Sequence, residues 1–104
     1  MMASDHLLVE MAPNGTATIT FNRPDRHNAF DDAMIKDLDA ALHAVRSNDS
    51  VRVLVLAGRG KSFSAGADLN YMKRAAQFSK AENIEDAMCL GRMLLTLRTM
   101  PITT

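Results

Sequence analysis

The segment Phe63-Ser64-Ala65-Gly66-Ala67-Asp68-Leu69 combines residue types that could do chemistry, and it follows the apolar run Val53-Leu54-Val55-Leu56. A buried strand, a glycine-containing loop and a helix start would leave backbone N–H groups at the mouth of the fold. Such groups can hold an oxyanion. The small residues Ala65, Gly66 and Ala67 would let a ligand carbonyl approach the backbone closely, and the dipole of the next helix favours negative charge. On the residues alone, an ordinary strand-to-helix turn capped by Asp68 is the simpler reading. A second candidate, Gly58-Arg59-Gly60-Lys61-Ser62, invites comparison with a phosphate-binding loop. That motif needs a glycine five residues before Gly60. The position is Val55, inside the apolar run, so a nucleoside triphosphatase is not expected.

The elements that would position these residues follow from periodicity. Residues 7–11 form a short apolar run, and Pro13-Asn14-Gly15 carries the Asn-Gly hairpin signal. Ala17, Ile19 and Phe21 alternate with Thr16, Thr18 and Thr20, the period of a strand. The expectation is a hairpin with strands near 6–12 and 15–22. Residues 22–28 are polar and broken by Pro24, hence a loop. Asp31 can cap a helix whose inner face is Met34, Ile35, Leu38, Ala41, Leu42 and Val45. Residues 47–50 end that helix. Residues 51–57 are apolar at nearly every position, as in a strand buried on both faces. Asp68 can cap a short helix ending near Ala76. Ser79 and Glu82 form a capping box for a longer one. Its inner stripe is read as Ile84, Ala87, Met88, Gly91, Leu94 and Leu95, and Pro101 closes it. The order β-β-α-β-α-α points to a layered α/β fold.

The bulk properties narrow the classes. A chain of 104 residues is at most one domain. It is 47% apolar, yet no apolar stretch reaches the ~20 residues a bilayer span requires. Twelve basic residues balance twelve acidic ones, which gives no electrostatic case for nucleic acid or an anionic membrane. One cysteine, Cys89, excludes an internal disulfide framework and a cysteine-based zinc cage. The first residues lack a basic segment followed by an apolar one, so no secretory signal is read and a cytoplasmic protein is expected. Eight methionines would suit an adaptable surface. Because Met34 and Met88 fall on apolar stripes, core filling is the simpler account. Residues 100–104 look like the entry to another strand. Three or four strands with three helices would leave apolar faces uncovered, so an N-terminal portion of a larger domain is expected.

Asn22-Arg23-Pro24 followed by Asn28-Ala29-Phe30, then Val53-Leu54-Val55-Leu56-Ala57-Gly58, then Phe63-Ser64-Ala65-Gly66-Ala67-Asp68-Leu69, together resemble the enoyl-CoA hydratase/isomerase (crotonase) family. The resemblance runs from about Leu7 to Thr104. It implies the ClpP/crotonase-like fold of β-β-α units wound into a superhelix, of which residues 1–104 would be the N-terminal part of a single domain. It also implies an acyl-CoA thioester as ligand, with coenzyme A part of the substrate and no separate cofactor or metal, and trimer-based homo-oligomers at full length.

Carried over residue by residue, the family's first oxyanion-hole donor falls on the backbone N–H of Ala67. Arg26, His27 and Ala29, with Ala65, Gly66, Ala67, Asp68 and Leu69, would line the coenzyme A site. Arg26 could meet a phosphate or be a solvated loop arginine. For His27 the resemblance suggests backbone lining rather than acid–base chemistry, and His6 and His43 read as surface residues. Many relatives carry lysine where this chain has Asn70, which would lose a phosphate contact or shift it to Lys73. The stretch 70–74 is similar to hydratases of branched or carboxylated enoyl-CoAs.

The family's second oxyanion donor and catalytic glutamates lie downstream of Thr104. Glu82 and Glu85 do not match them and are explained by capping and the helix dipole. The resemblance therefore implies a lyase that adds water across the 2,3 double bond of an enoyl-CoA, of which these 104 residues alone would not be competent. An isomerase, another enolate-forming enzyme, or a non-catalytic interaction module remain alternatives.

Overall fold

The computed structural model describes residues 2, 3 and 5–104. In chain order the elements are β1 (Met2–Ala3), β2 (Leu7–Met11), β3 (Thr16–Phe21), a 3-10 turn (Pro24–Arg26), α1 (Asp32–Arg46), β4 (Val53–Gly58), α2 (Leu69–Ala75) and α3 (Lys80–Arg98). Beyond the short β1, they follow the expected order β-β-α-β-α-α.

The β2–β3 hairpin forms where the Asn-Gly signal places it. Gly15 adopts φ +90°, a conformation open to glycine at little cost. The Asn14 side chain accepts a hydrogen bond from the Thr16 N–H at 3.1 Å. The antiparallel register pairs Leu7 with Phe21 and Val9 with Ile19. β4 lies on the other side of β3 and parallel to it, with Ala17 against Leu54 and Phe21 against Gly58. Parallel neighbours need a crossover, and α1 provides it. The sheet order is β1-β2-β3-β4.

The core follows from these registers. Leu7, Val9, Ala17, Ile19, Phe21 and Leu54 share one sheet face and pack against Met34, Ile35, Leu38, Ala41, Leu42 and Val45 of α1. The expected stripe of α1 is thus the buried one. The Asp31 carboxylate accepts from the Met34 N–H at 2.8 Å, which satisfies an N–H the helix cannot. At the far end Ser47 follows the last turn as the C-cap. The Ser79–Glu82 capping box opens α3 with both reciprocal bonds made, at 2.9 and 3.2 Å.

Two expectations are corrected. Residues 51–57 are not buried on both faces. In β4, Leu54 is 1% exposed but Val53 and Val55 are 37% and 42% exposed. They share the sheet face of Thr16 and Thr18, their partners in β3, whereas α1 packs on the opposite face. A continuous apolar run says that both faces tolerate burial, but the covering layer decides which is buried. The inner stripe of α3 is also reversed. Met93 is buried, with Leu90 and Leu97 packed against the core, while Ile84, Met88, Leu94 and Leu95 are exposed. α3 is apolar around most of its circumference, so periodicity alone does not choose the inward side. Met34 fills the core as expected, and Met88 does not.

Residues 100–104 do extend the sheet: Val53 bridges Thr103 in parallel, and the Leu54 N–H donates to the Thr103 carbonyl at 2.8 Å. Met100 is buried in the core cluster.

Leu42 has no exposed surface, so Leu42→Ala removes packing atoms that nothing can replace. A loss of ~2–5 kcal/mol is expected, read as a lowered urea midpoint.

Candidate functional site

Because β3 and β4 are parallel and end together at Phe21 and Gly58, the loops that follow them leave from the same sheet end. Crevices outside the carboxyl ends of parallel strands are where open α/β sheets hold ligands. Loop 22–31 and loop 59–68 meet there.

The first loop is held by Asn28, which has no exposed surface. Its Oδ1 accepts from the Arg23 N–H at 2.8 Å. Its Nδ2 donates to the Arg59 carbonyl at 2.9 Å and to the Ser62 carbonyl at 2.7 Å. One amide therefore closes its own loop and clamps the second. His27 and Asn28 both have positive φ, 51° and 56°, a region that asparagine enters at less cost than most residues. Gly58 makes the clamp possible: an added Cβ would lie 2.9 Å from the Phe63 carbonyl oxygen and 3.0 Å from Asn28 Nδ2.

A parallel bridge joins Phe30 to Ala67. The Phe30 N–H donates to the Gly66 carbonyl, and the Asp68 N–H to the Phe30 carbonyl, both at 2.7 Å. Such a bridge uses the groups on either side of Ala67, so its own N–H faces away from Phe30. Among the described residues that N–H has no hydrogen-bond partner. Gly66 supplies the turn with φ +90°.

Arg23 ties the two strands of this bridge together. Its guanidinium donates to the Ala29 carbonyl at 2.6 Å and to Asp68 Oδ2 at 3.1 Å, and lies 3.5 Å from Asp31. Asp68 also caps α2, accepting from the Tyr71 N–H at 3.0 Å. The Tyr71 hydrogen bond, aided by Arg23, holds the Asp68 carboxyl below its ordinary value despite burial. The Tyr71 hydroxyl in turn donates to Asp86 of α3. Burial, reinforced by Asp86, pushes the Tyr71 phenol up to about 12.

The two loops enclose a cleft of about 420 Å³ lined by Asp25, Arg26, His27, Ala29, Ala65, Ala67, Asp68 and Leu69. The sequence-derived residues Arg26, His27, Ala29, Ala65, Ala67, Asp68 and Leu69 are thus brought together. Gly66 is not a wall residue; it stands behind Ala67 and engages Phe30 through its carbonyl. Arg26 is exposed at the cleft. The His27 ring lies 3.2 Å from the Ser62 hydroxyl. Asn70 and Lys73 are exposed on α2 and do not line the cleft. Glu82 serves the capping box, and Glu85 pairs with Arg92 at 3.2 Å. His43 is exposed beside Asp39. Among the described residues no group of three or more His, Cys, Asp or Glu could hold a metal ion, and no helix is long and apolar enough to cross a membrane.

The scaffolding roles of Arg23 and Asn28 escaped the sequence reading. The signal was an asparagine in a tight polar loop, but its partners, 31 and 34 residues away, appear only in three dimensions.

The Asp68 clamp generates a pH dependence. A carboxyl held below its ordinary value of 3.8 binds fewer protons folded than unfolded. Its contribution is complete above that value and is lost as pH falls through the lowered folded value. Asp68→Asn keeps a capping oxygen but removes the charge facing Arg23. It is expected to cost about 1–3 kcal/mol at neutral pH and to show a smaller further loss on acidification. Thermal unfolding from about pH 6 to about pH 2 measures both.

A family model described as enoyl-CoA hydratase/isomerase matches residues 11–102. The trans-2-decenoyl-[acyl-carrier-protein] isomerase of Streptococcus mutans is 30% identical over 89 residues, covering 85% of this chain and 34% of that protein. The 1,2-epoxyphenylacetyl-CoA isomerase of Escherichia coli is 46% identical over 56 residues, covering 54% of this chain and 21% of its own. In structure, an enoyl-CoA hydratase of Shewanella pealeana superposes with a TM-score of 0.90 at 36% identity, over 93% of this chain and 36% of that one. The chain spans less than two fifths of the length of these relatives. Its α/β arrangement is that of the crotonase fold over the matched part. With the family model matching nearly the whole chain and its fold shared at this level of identity, the chain belongs to the enoyl-CoA hydratase/isomerase family.

Proposed function

We infer that the cleft between loops 22–31 and 59–68 binds an acyl-CoA thioester, and that the Ala67 N–H donates to the thioester carbonyl. The observation that carries this reading is the position of that N–H. It stands at the cleft wall with no partner among the described residues, and neighbouring backbone bonds to Phe30 fix its direction. A donor held in place before reaction loses no energy in reorganising when negative charge develops on the carbonyl oxygen. The exposed Arg26 at the same cleft offers a cation to a phosphate of the nucleotide portion.

Polarising the carbonyl favours addition at the far end of a conjugated double bond and holds the enolate-like species that results. Hydration of an enoyl-CoA is the overall reaction proposed. Water delivery and proton management need a carboxylate and a second acid–base group, and no residue lining this cleft is assigned to them. Two isomerases among the relatives, one acting on an acyl-CoA and the other on an acyl group carried by acyl-carrier protein, support an isomerase as the second reading. The carbonyl contact would be common to both.

The direct test is the infrared carbonyl stretch of a carbon-13-labelled enoyl-CoA bound to the protein. A shift to lower frequency is expected with the native chain and with Ala67→Gly, which keeps the N–H. Ala67→Pro deletes the donor and should return the stretch to its value in water. In the active protein Ala67→Pro is expected to slow hydration by ~10²–10³, followed as loss of conjugated enoyl absorbance. An unshifted carbonyl in the native complex would overturn the assignment.

A further inference from the structure

α2 is held in place by few groups. It has seven residues and none is buried, and a helix this short does not persist without tertiary contacts. Two of its side chains reach other helices. Arg74 pairs with Asp32 at the start of α1, but both are about half exposed, and exposed pairs hold weakly. Tyr71 is different. Its ring is half-buried and packs against the main core, and its hydroxyl donates to the Asp86 carboxylate of α3. A hydrogen bond to a charged acceptor is stronger than one between neutral groups. The phenol, pushed up to about 12, keeps its proton near neutral pH and so remains a donor.

Tyr71 is tied to the cleft at its other end. Its N–H donates to Asp68 Oδ1 at 3.0 Å, while Asp68 Oδ2 accepts from Arg23 at 3.1 Å. The Asp68 N–H donates to the Phe30 carbonyl at 2.7 Å. Asp68 therefore anchors the residue after Ala67 to loop 22–31 on one side and to α2 on the other. A line of bonded groups runs from Asp86 through Tyr71 and Asp68 to the peptide next to the Ala67 N–H. Neither Tyr71 nor Asp86 lines the cleft, so their effect on a ligand there passes through the loop.

We propose that Tyr71 is a positioning residue for the Ala67 N–H. By seating α2 on Asp86, its hydroxyl keeps the Asp68 end of the loop where this donor is aimed at the ligand carbonyl. Without that bond Asp68 is still held by Arg23, but the helix it caps is free to shift and the aim of the donor loosens. The inference rests on the reading of the Ala67 N–H as the carbonyl contact.

Tyr71→Phe removes the hydroxyl and keeps the ring, and Asp86→Ala removes the acceptor. Each is made in the active protein and read by turnover and by the carbonyl stretch of a bound carbon-13-labelled enoyl-CoA. Both variants should keep native circular dichroism, lower kcat about tenfold and leave KM within about twofold. The carbonyl stretch should move part of the way back to its value in water. The double variant Tyr71→Phe/Asp86→Ala should fall no further than either single one, because both changes break the same bond. Asp86→Asn keeps an acceptor oxygen and should stay near native. Should Tyr71→Phe fail to fold, Asp86→Ala and its rescue by Asp86→Asn carry the same test from the α3 side. A native shift that Tyr71→Phe and Asp86→Ala leave undiminished overturns the positioning role and leaves the Ala67 contact standing. Losses that add in the double variant overturn it equally. An unshifted carbonyl in the native complex removes the Ala67 contact itself, and this inference with it.

Discussion

The buried amide of Asn28 is the constraint on which the cleft depends. A fully buried side chain with one acceptor and two donor hydrogens costs free energy unless its bonds are made. Here Oδ1 is matched by the Arg23 N–H, and Nδ2 by the carbonyls of Arg59 and Ser62. These bonds can be satisfied together only if loop 22–31 and loop 59–68 sit in one relative position. The αL backbone at Asn28 and the missing side chain at Gly58 are accommodations to that requirement. The buried amide couples the two loops, because moving either one would leave a polar group inside the wall without its partner.

Arg23 extends the constraint to the second wall. By reaching both the Ala29 carbonyl and Asp68, it fixes the strand of Phe30 against that of Ala67. Asp68 serves this pair and the start of α2 at once. Below the loops the aromatic rings of Phe30 and Phe63 lie against Phe21, at 5.4 and 5.0 Å between centroids. Phe21 is itself the last residue of β3 and part of the main core. Packing of sheet on α1 is thus connected through one ring to the geometry of the loops. The Tyr71–Asp86 bond makes a comparable link from α2 to α3.

Elsewhere the polar contacts are of a different kind. Arg74 makes a bidentate pair with Asp32 at 3.0 Å, but both side chains are about half exposed. Exposed pairs contribute ~0–1 kcal/mol, so this contact orients α2 against α1 more than it stabilises the fold. The Arg23–Asp68 pair differs because it is nearly buried and each partner also bonds a backbone group, Arg23 the Ala29 carbonyl and Asp68 the Tyr71 N–H.

Local signals by themselves determined the elements. Asp31, Asp68 and Ser79 mark helix starts because each supplies an oxygen to an orphan N–H within three residues. Asn14-Gly15 marks a turn because few residues adopt its backbone. The inner face of α1 was equally legible, since its apolar residues occupy a single stripe. The family resemblance carried by the motifs around Arg23, Asn28 and Gly66, rather than any local physical signal, pointed to the residues of the cleft, with Gly66 in excess and Asp25 missed. What the sequence did not determine was which face of an element apolar on both sides turns inward. Val53 and Val55 face outward although the run containing them is apolar throughout, and Ile84, Met88 and Leu95 do the same in α3. Nor did it show that Asn28 and Arg23 hold the two loops together. Both facts depend on neighbours distant in the chain: burial requires a covering layer, and a buried hydrogen bond requires a partner that only the folded register brings near.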